Sequence, residues 1–208
     1  MPAFADHFSS RAADYAAYRP SYPPALVQNL AGLCADHDLT WDAGTANGQA
    51  AVLLAEHFAH VVATDASEEQ LAHASTHPRI VYRVGQEDGS GLARASADLV
   101  TVAQALHWFD RSRFYAEVKR VLKPGGVVAA WCYDLPRVDG AVDPVVEKFY
   151  KVRTGPFWPP ERRHVDAMYR ELEFPFDEIP QPAWSMAVEL NRERFLGYVR
   201  SWSAVTRA

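Results

Sequence analysis

Two aspartates at the ends of neighbouring strand patterns are the first sign of chemistry in this 208-residue sequence. Asp42 closes a β-rich run and is followed by a glycine-containing turn, residues 43–48, that opens a helix pattern. Asp65 closes the next β-rich run, 21 residues beyond Gly44. A glycine turn leading into a helix N-terminus places backbone N–H groups around a closely bound ligand. A carboxylate one strand further on can accept hydrogen bonds from a ribose diol.

Two classes of ligand compete for such a turn. A dinucleotide would bring a pyrophosphate beside Asp42, where repulsion costs about 1 to 4 kcal/mol at contact. S-adenosylmethionine instead carries an ammonium and a sulfonium, which Asp42 attracts directly or through water, while the turn amides bind the methionyl carboxylate. The G-x-G-x-x-G spacing typical of dinucleotide sites is absent. The sequence therefore favours S-adenosylmethionine over a nicotinamide dinucleotide.

Composition excludes several other classes of protein. Hydrophobic residues make up 49% of the chain and charged residues 23%, so a disordered or collagen-like chain is ruled out. The net charge of −5 predicts no nucleic-acid surface. Two cysteines form neither a disulfide framework nor a thiolate metal site, and no metal is expected. Because a secretory signal and an apolar run of roughly 20 residues are missing, we expect a cytoplasmic protein without membrane attachment.

Alternating strand and helix patterns must position the two aspartates. Five valine-rich runs, apolar on both faces, predict strands at Leu39–Ala43, Val61–Asp65, Ile80–Val84, Asp98–Ala103 and Val127–Cys132. Helix patterns cover Ala25–Cys34, Gln49–Phe58, Glu68–Thr76 and Arg111–Leu122. Ser67 with Gln70 forms a capping-box pattern, and Asp110 is suited to an N-cap. This alternation predicts an α/β, Rossmann-like, doubly wound and mostly parallel sheet, with ligands at the carboxyl ends of its strands.

The composition changes at Pro136, and eight of the 14 prolines lie at or after it. A helical pattern from Ala141 to Phe174 is broken by residues 155–160. We expect a last strand over Ser185–Leu190 and a helix over Arg194–Val205. Residues 1–135 are predicted to form the ligand-binding domain, and residues 136–208 a helical cap and an incomplete carboxyl-terminal part of the same domain.

The segment Asp-Ala-Gly-Thr-Ala-Asn-Gly-Gln-Ala-Ala, residues 42–51, resembles the first motif of class I S-adenosylmethionine-dependent methyltransferases. The likeness is strongest to the small-molecule branch that includes trans-aconitate-methyltransferase-like proteins. Four further segments resemble this branch in the same order, at residues 8–23, 65–71, 102–110 and 121–126, and a fainter one lies at 201–204. The resemblance implies methyl transfer from S-adenosylmethionine to a small-molecule acceptor, and an amino-terminal lid over about residues 1–36.

The resemblance also implies roles for particular residues. The cofactor-binding residues would be Arg19, Asp42, Gly44, Ala46, Gly48, Asp65, Ala66, Glu87, Asp88 and Gln104. Glu87 and Asp88 are alternatives for the adenine amino group, because alignment favours Asp88 and distance from the strand favours Glu87. The substrate pocket would include Tyr15, Tyr18, His107, Trp108 and Trp158. Strand order places His107 at the active edge, where a ring with an ordinary pKa near 6.5 could orient or deprotonate a nucleophile.

Two departures from the family leave a second interpretation open. Ala46 stands where the family has its central turn glycine, and a positive φ there would cost about 1 kcal/mol and weaken cofactor binding several-fold. Relatives usually continue beyond residues 201–203 with further strands, so a sheet edge stays uncovered unless a partner, a second copy included, closes it. The alternative is a methyltransferase-like protein that binds S-adenosylmethionine or S-adenosylhomocysteine without turnover.

The implied reaction asks little covalent chemistry of the protein. The leaving group is already activated by its positive charge, and positioning of two reactants can supply roughly 7 to 11 kcal/mol of the barrier. A carboxylate acceptor would need no general base but would need cationic partners. The candidates are Arg19, Arg137, Arg153, Arg162 and Arg163.

Overall fold

A computed structural model describes residues 18–208 of the chain. Its sheet has five parallel strands within that range: β1 (Leu39–Ala43), β2 (His60–Asp65), β3 (Ile80–Val84), β4 (Ala97–Ala103) and β5 (Leu122–Trp131). The strand order is β3-β2-β1-β4-β5, so the chain builds outward from β1 in one direction and then from β4 in the other. The reversal lies between β1 and β4, where ligands bind in sheets of this kind. The predicted doubly wound α/β sheet is confirmed.

Strand β5 begins earlier than predicted. Ala97 of β4 pairs with Leu122, but Leu99 pairs with Val127, so residues 123–126 are skipped by the ladder. Gly125 has φ +77° within this irregular stretch. The predicted turn into the fifth strand is thus a break in register inside one paired strand.

Four helices cover the sheet: α1 (Pro24–Gly32), α2 (Gln49–Leu54), α3 (Glu68–Ala72) and α4 (Arg111–Val121). The predicted capping contacts form, because the backbone N–H of Gln70 donates to Ser67 Oγ at 3.2 Å and that of Arg113 donates to Asp110 Oδ1 at 3.2 Å. Helix α2 is shorter than predicted, since the chain tightens into turn hydrogen bonds after Leu54.

Two apolar clusters fill the space on the two faces of the sheet. One packs α1 and α2 on the sheet, with Val27, Phe58 and Leu99 buried. The other packs α4 on the opposite face, where Val100 and Phe114 are buried. Successive residues of β4 therefore face opposite clusters, as the alternation of side chains along a strand requires. Helix α1 falls within the predicted amino-terminal lid, yet its apolar face belongs to the first cluster; residues 1–17 of that lid lie outside the described residues.

The cap contains short helical segments. They are α5 (Asp143–Lys148), a π-helical turn (Phe149–Arg153), a 3₁₀ turn (Gly155–Phe157), α6 (Arg162–Asp166), α7 (Arg192–Arg200) and α8 (Ser203–Arg207). The prediction of a strand at Ser185–Leu190 is wrong, because this stretch has no ladder partner among residues 18–208 and its side chains are mostly exposed. An apolar and polar alternation alone does not make a strand without a neighbour to bond.

An aromatic cluster joins the cap to the start of the described chain. It buries Val146, Tyr150, Tyr198 and Trp202, and the Trp202 ring meets those of Tyr150 and Tyr198 edge-on at 6.0 and 5.8 Å. The ring of Tyr18 occupies the space that a side chain at position 197 would fill, so Gly197 admits it. None of the helices formed by residues 18–208 has the length and apolarity needed to cross a membrane.

Candidate cofactor and acceptor site

The turn after β1 has the left-handed backbone that its glycines predict. Gly44 has φ +66° and Gly48 has φ +82°. Ala46 between them has φ +49°, which meets the condition under which alanine costs about 1 kcal/mol relative to glycine. The turn is tied to the neighbouring strand by the backbone N–H of Thr45, which donates to the carbonyl of Thr64 at 3.0 Å. The backbone N–H groups of Ala46 and Gly48 also donate within the protein, to Asp65 Oδ2 at 2.8 Å and to the carbonyl of Thr45 at 2.9 Å, so the turn is fixed at the carboxyl edge of the sheet.

Both glycines of the turn are also required by packing. A Cβ on Gly44 would lie 2.6 Å from the Cβ of Ala105, which follows β4. A Cβ on Gly48 would collide with the hydroxyl of Tyr82 on β3. The absence of side chains lets β3 and the segment after β4 close around the turn. This packing role accompanies, and does not exclude, the predicted cofactor contacts.

Asp42 lies beneath the turn with 1% of its surface exposed. Its Oδ2 accepts a hydrogen bond from Thr45 Oγ1 at 2.5 Å and its Oδ1 accepts one from Thr101 Oγ1 at 2.7 Å. Burial raises the pKa of Asp42 to about 6, against the opposing effect of the two hydroxyls and with a further rise from Asp65. Because both oxygens already have donors, Asp42 acts on the site through its charge and through the turn that it holds.

Asp65 fastens the end of β2 to the same turn. Its Oδ2 accepts the backbone N–H of Ala46 at 2.8 Å, and its Oδ1 accepts that of Ser67 at 2.9 Å. Ala66, half-buried, lies between Asp65 and the N-cap residue Ser67. The structure therefore brings the two aspartates to one end of the sheet, as the sequence predicts.

The two adenine candidates share a turn after β3, closed by the backbone N–H of Gly89 donating to the carbonyl of Gln86 at 2.9 Å. Asp88 is engaged by Arg113 of α4, whose Nε donates to Asp88 Oδ2 at 2.8 Å. Glu87 is half-buried in the same turn. Since the ion pair gives Asp88 the task of holding the turn to α4, the geometry favours Glu87 for a ligand contact.

Gln104, directly after β4, is a non-glycine residue with φ +57°. Its backbone N–H donates to the carbonyl of Trp131 at 2.9 Å, and its Nε2 donates to the carbonyl of Tyr133 at 3.1 Å. A left-handed backbone at such a position is strained and is held by its surroundings. The bend lies at the reversal point of the sheet, beside Ala105 and hence beside Gly44.

A narrow cavity of about 50 Å³ lies between this bend and the cap. Its described lining residues are Arg19, Gln104, His107, Trp108, Trp158, Pro159, Arg162 and Ser203. The structure thus gathers five residues that the sequence analysis assigned to the cofactor or substrate. Tyr18 packs on Gly197 in the aromatic cluster instead, and Tyr15 lies outside the described residues.

Arg19 reaches this cavity from the start of the described chain. Its Nη1 donates to Tyr133 Oη at 3.3 Å, and its Nη2 donates to the carbonyl of Ser201 at 3.3 Å. Its carbonyl accepts a hydrogen bond from Gln49 Nε2 at 3.3 Å, at the first residue of α2. Arg19 consequently bridges the glycine turn and the carboxyl-terminal helices.

His107 is buried in a 3₁₀ turn, Leu106–Trp108. Burial, together with the nearby charges of Arg162 and His164, lowers the pKa of His107 to about 3. Its Nδ1 lies 2.9 Å from the hydroxyl of Tyr169. A ring that stays neutral at pH 7 is a weak base, so the geometry favours the orienting role for His107 over proton abstraction.

The contact between Tyr169 and His107 is a feature of the site that the sequence analysis did not predict. Met168 has φ +52° and Tyr169 has φ +60°, so two consecutive left-handed residues turn the chain toward His107. Burial raises the pKa of Tyr169 well above its ordinary value, which keeps its hydroxyl protonated. No local motif signals this contact, because it joins residues 62 positions apart.

The comparisons with known proteins agree with this geometry. Residues 41–130 match the model of a family described as methyltransferase domain. A protein of Dictyostelium discoideum, named as an inferred methyltransferase, is 33% identical over 204 residues, covering 96% of this chain and 78% of that protein. The structure of an inferred type II methyltransferase from Anaeromyxobacter dehalogenans aligns with a TM-score of 0.80 and 44% identity over 91% of this chain and 81% of that one.

Two further similarities are more limited. An uncharacterised methyltransferase of Mycobacterium tuberculosis is 39% identical over 120 residues, which are 57% of this chain and 49% of that protein. This chain therefore spans about half the length of the mycobacterial relative. The fold is also that of an S-adenosylmethionine-dependent methyltransferase from Aquifex aeolicus, with a TM-score of 0.53 and 22% identity over 64% of this chain and 77% of that one. The chain belongs to the methyltransferase domain family and is a methyltransferase.

Proposed function

We propose that this methyltransferase transfers the sulfonium methyl group of S-adenosylmethionine to a small-molecule acceptor that carries a carboxylate. The observation that carries the proposal is the meeting of three features at one end of the sheet: the left-handed turn at Gly44–Gly48, the carboxylates of Asp42 and Asp65, and a cavity lined by two arginines. The small-molecule branch that includes trans-aconitate-methyltransferase-like proteins is the part of the family to which we assign it.

The residues of the turn fit this cofactor. Asn47 Oδ1 is buried and has no hydrogen-bond partner among residues 18–208, so it offers an acceptor to a ligand with N–H or O–H donors. Asp42 and Asp65 supply negative charge close by, which favours a cationic sulfur nucleoside and disfavours a diphosphate. The chemistry that S-adenosylmethionine supplies when bound is a methyl group on a positively charged leaving group.

The chain's own residues bind and orient. Asp65 and Ala66 accept the ribose, Glu87 or Asp88 the adenine amino group, and Gly44, Ala46 and Gly48 the methionyl part through the turn. Carbonyls near Gln104 accept its ammonium, and Arg19 pairs with its carboxylate. Asp42 lowers the energy of the cation through its buried charge. Such positioning can supply roughly 7 to 11 kcal/mol of the barrier to transfer.

The acceptor side is argued from the charges of the cavity. Arg19 and Arg162 line it, and its lining among residues 18–208 includes no acidic side chain. Of the other arginines considered from sequence, Arg137, Arg153 and Arg163 are not among these lining residues. An anionic acceptor is therefore attracted, and a carboxylate needs no general base, which suits the neutral ring of His107.

The test measures product formation from methyl-labelled S-adenosylmethionine across small acids, phenols and amines, together with calorimetry of S-adenosylhomocysteine. We expect nanomolar-to-micromolar binding and turnover confined to acids. Equal turnover of uncharged phenols and amines would overturn the carboxylate assignment. Binding of the product without turnover of any acceptor would favour the alternative of a binding protein, and absence of binding would overturn the cofactor assignment.

A further inference from the structure

Arg162, the first residue of α6, packs against two aromatic rings that also contact each other. Its guanidinium carbon lies 4.8 Å from the ring centre of Trp158 and 5.2 Å from that of Tyr150. The two rings are 4.9 Å apart, and Trp158 in turn lies 6.1 Å from Trp202 of the aromatic cluster. A guanidinium stacked in this way keeps its plane fixed, since both rings attract the cation through their faces.

The Nε edge of the Arg162 guanidinium forms hydrogen bonds with neighbouring side chains of the cap. Nε donates to Tyr150 Oη at 2.7 Å and to Asp166 Oδ1 at 3.0 Å. Tyr150 Oη itself donates to Asp166 Oδ1 at 2.6 Å, which closes a small network on the cap side. Asp166 holds the Nε edge, so Arg162 does not rotate freely.

The other edge faces the cavity. Neither Nη1 nor Nη2 has a hydrogen-bond partner among residues 18–208, although Arg162 is one of the residues that line the cavity. The side chain of Arg162 is 19% exposed, and Nη1 and Nη2 keep some accessible surface through which a ligand can reach them. Two parallel N–H groups on a fixed plane match the two oxygens of a carboxylate.

The neighbouring groups favour the same ligand. Tyr169 remains protonated and its hydroxyl lies at Nδ1 of His107, so when it donates there the neutral ring carries its hydrogen on Nε2 as a further donor. A cavity of about 50 Å³ holds a few waters, since one needs about 10–15 Å³, and thus suits one polar group of an acceptor.

We infer that Arg162 is the specificity-determining residue of the acceptor site and binds one carboxylate of the acceptor through Nη1 and Nη2. The inference rests on the proposed function, because it names the group that selects the acceptor at that same site. It goes beyond the pair of arginines in the lining by giving Arg162 this task and leaving Arg19 to the cofactor side.

The experiment compares Arg162→Gln, Arg162→Lys and the matched control Arg163→Gln, which changes the exposed neighbouring arginine. The probes are two acid and amide pairs, benzoate with benzamide and succinate with succinamide. Binding is followed by tryptophan fluorescence, because Trp158 touches the guanidinium. Each titration is run with and without S-adenosylhomocysteine, whose own affinity is measured separately by calorimetry.

We expect at least one acid to bind the wild-type chain and its amide to bind more weakly. Arg162→Gln should weaken binding of the acid about 10- to 100-fold and leave the amide unchanged, since a charged bidentate pair is lost. Arg162→Lys should recover only part of that loss, because it restores the charge without the planar fork. Arg163→Gln and the affinity for S-adenosylhomocysteine should stay as in the wild type.

Several results would overturn the inference. They are equal responses to acid and amide, no response to either, full recovery by lysine, or an equal loss in Arg163→Gln. Circular dichroism at rising temperature shows whether each variant is folded. Failure of S-adenosylhomocysteine to bind the wild-type chain would instead count against the proposed function, and the titrations without it would still decide on Arg162.

Discussion

Ala46 occupies a backbone conformation in which a side chain is a disadvantage. Its φ of +49° is left-handed, and its N–H is used by Asp65 at 2.8 Å, so the turn holds the residue in place despite the strain. The methyl group also projects from the turn on which we place the methionyl part of the cofactor. Strain and obstruction both act on this one residue.

The substitution Ala46→Gly should therefore increase affinity for S-adenosylhomocysteine several-fold and raise the free energy of unfolding by up to about 1 kcal/mol. Ala95→Gly is the matched control, because Ala95 has φ +51° and is exposed in another loop. The control should gain similar stability and no affinity. Calorimetry and urea unfolding measure the two effects, and an equal gain in affinity by both variants would contradict the assignment of the turn.

At the scale of elements, the carboxyl edge of the sheet is assembled around Asp42. Asp42 lies one residue before the end of β1 and accepts hydrogen bonds from Thr45 of the glycine turn and from Thr101 of β4. Removal from water is the main cause of its raised pKa of about 6. The arrangement of these elements thus places a carboxyl group that titrates close to neutral pH beneath the proposed cofactor.

We expect affinity for S-adenosylhomocysteine to fall several-fold between pH 7 and pH 5, as Asp42 takes up a proton and its attraction for the ammonium is lost. The free energy of unfolding changes in the opposite direction and rises as the pH falls. Because folding raises this pKa from about 3.8 to about 6, Asp42 stabilises the folded chain as pH falls through that window, by up to about 3 kcal/mol. Calorimetry at both pH values checks the affinity.

The matched variant for this prediction is Asp42→Asn, which keeps the shape of the side chain without its titration. Its affinity should be low and nearly independent of pH over the same range. A wild-type affinity that does not change between pH 7 and pH 5 would contradict a contribution from the buried charge of Asp42.

In the molecule as a whole, the aromatic cluster packs the segments of the cap against one another and against Tyr18. Trp202, 3% exposed, contacts Tyr150, Trp158 and Tyr198, which come from three different segments. Two of these rings, Tyr150 and Trp158, also contact the guanidinium of Arg162. We therefore expect packing of the cap and the proposed acceptor binding at Arg162 to depend on this one tryptophan.

The substitution Trp202→Ala should lower the free energy of unfolding by about 3–5 kcal/mol, as removal of a buried aromatic does. The substitution should also weaken binding of the acid probes, because the rings of Tyr150 and Trp158 that contact Arg162 would lose their contact with Trp202. Trp184→Ala is the control, since Trp184 is 39% exposed and should change stability by about 0.5 kcal/mol or less. Urea unfolding and the fluorescence titration supply the two readouts, and a loss confined to stability would contradict the coupling.

Much of the fold was predictable because its signals are local. Valine-rich strands, helix caps such as Ser67 and the glycines of the turn depend on periodicity and on hydrogen bonds within a few residues. The condition on φ at Ala46 could be stated from the motif alone, and the structure meets it. The wrong prediction of a strand at Ser185–Leu190 shows the limit of local signals, since strand pairing requires a neighbouring strand that the local pattern does not reveal.

Local pattern thus established the sheet, its carboxyl edge and the type of ligand that two aspartates and a glycine turn attract. Long-range packing determined three features of the site. These are the burial that changes the pKa of Asp42 and His107, the contact of the Tyr169 hydroxyl with His107, and the packing of Arg162 against Trp158. The physical reason is that removal from water and contact between rings depend on atoms that are distant along the chain, which folding alone brings together.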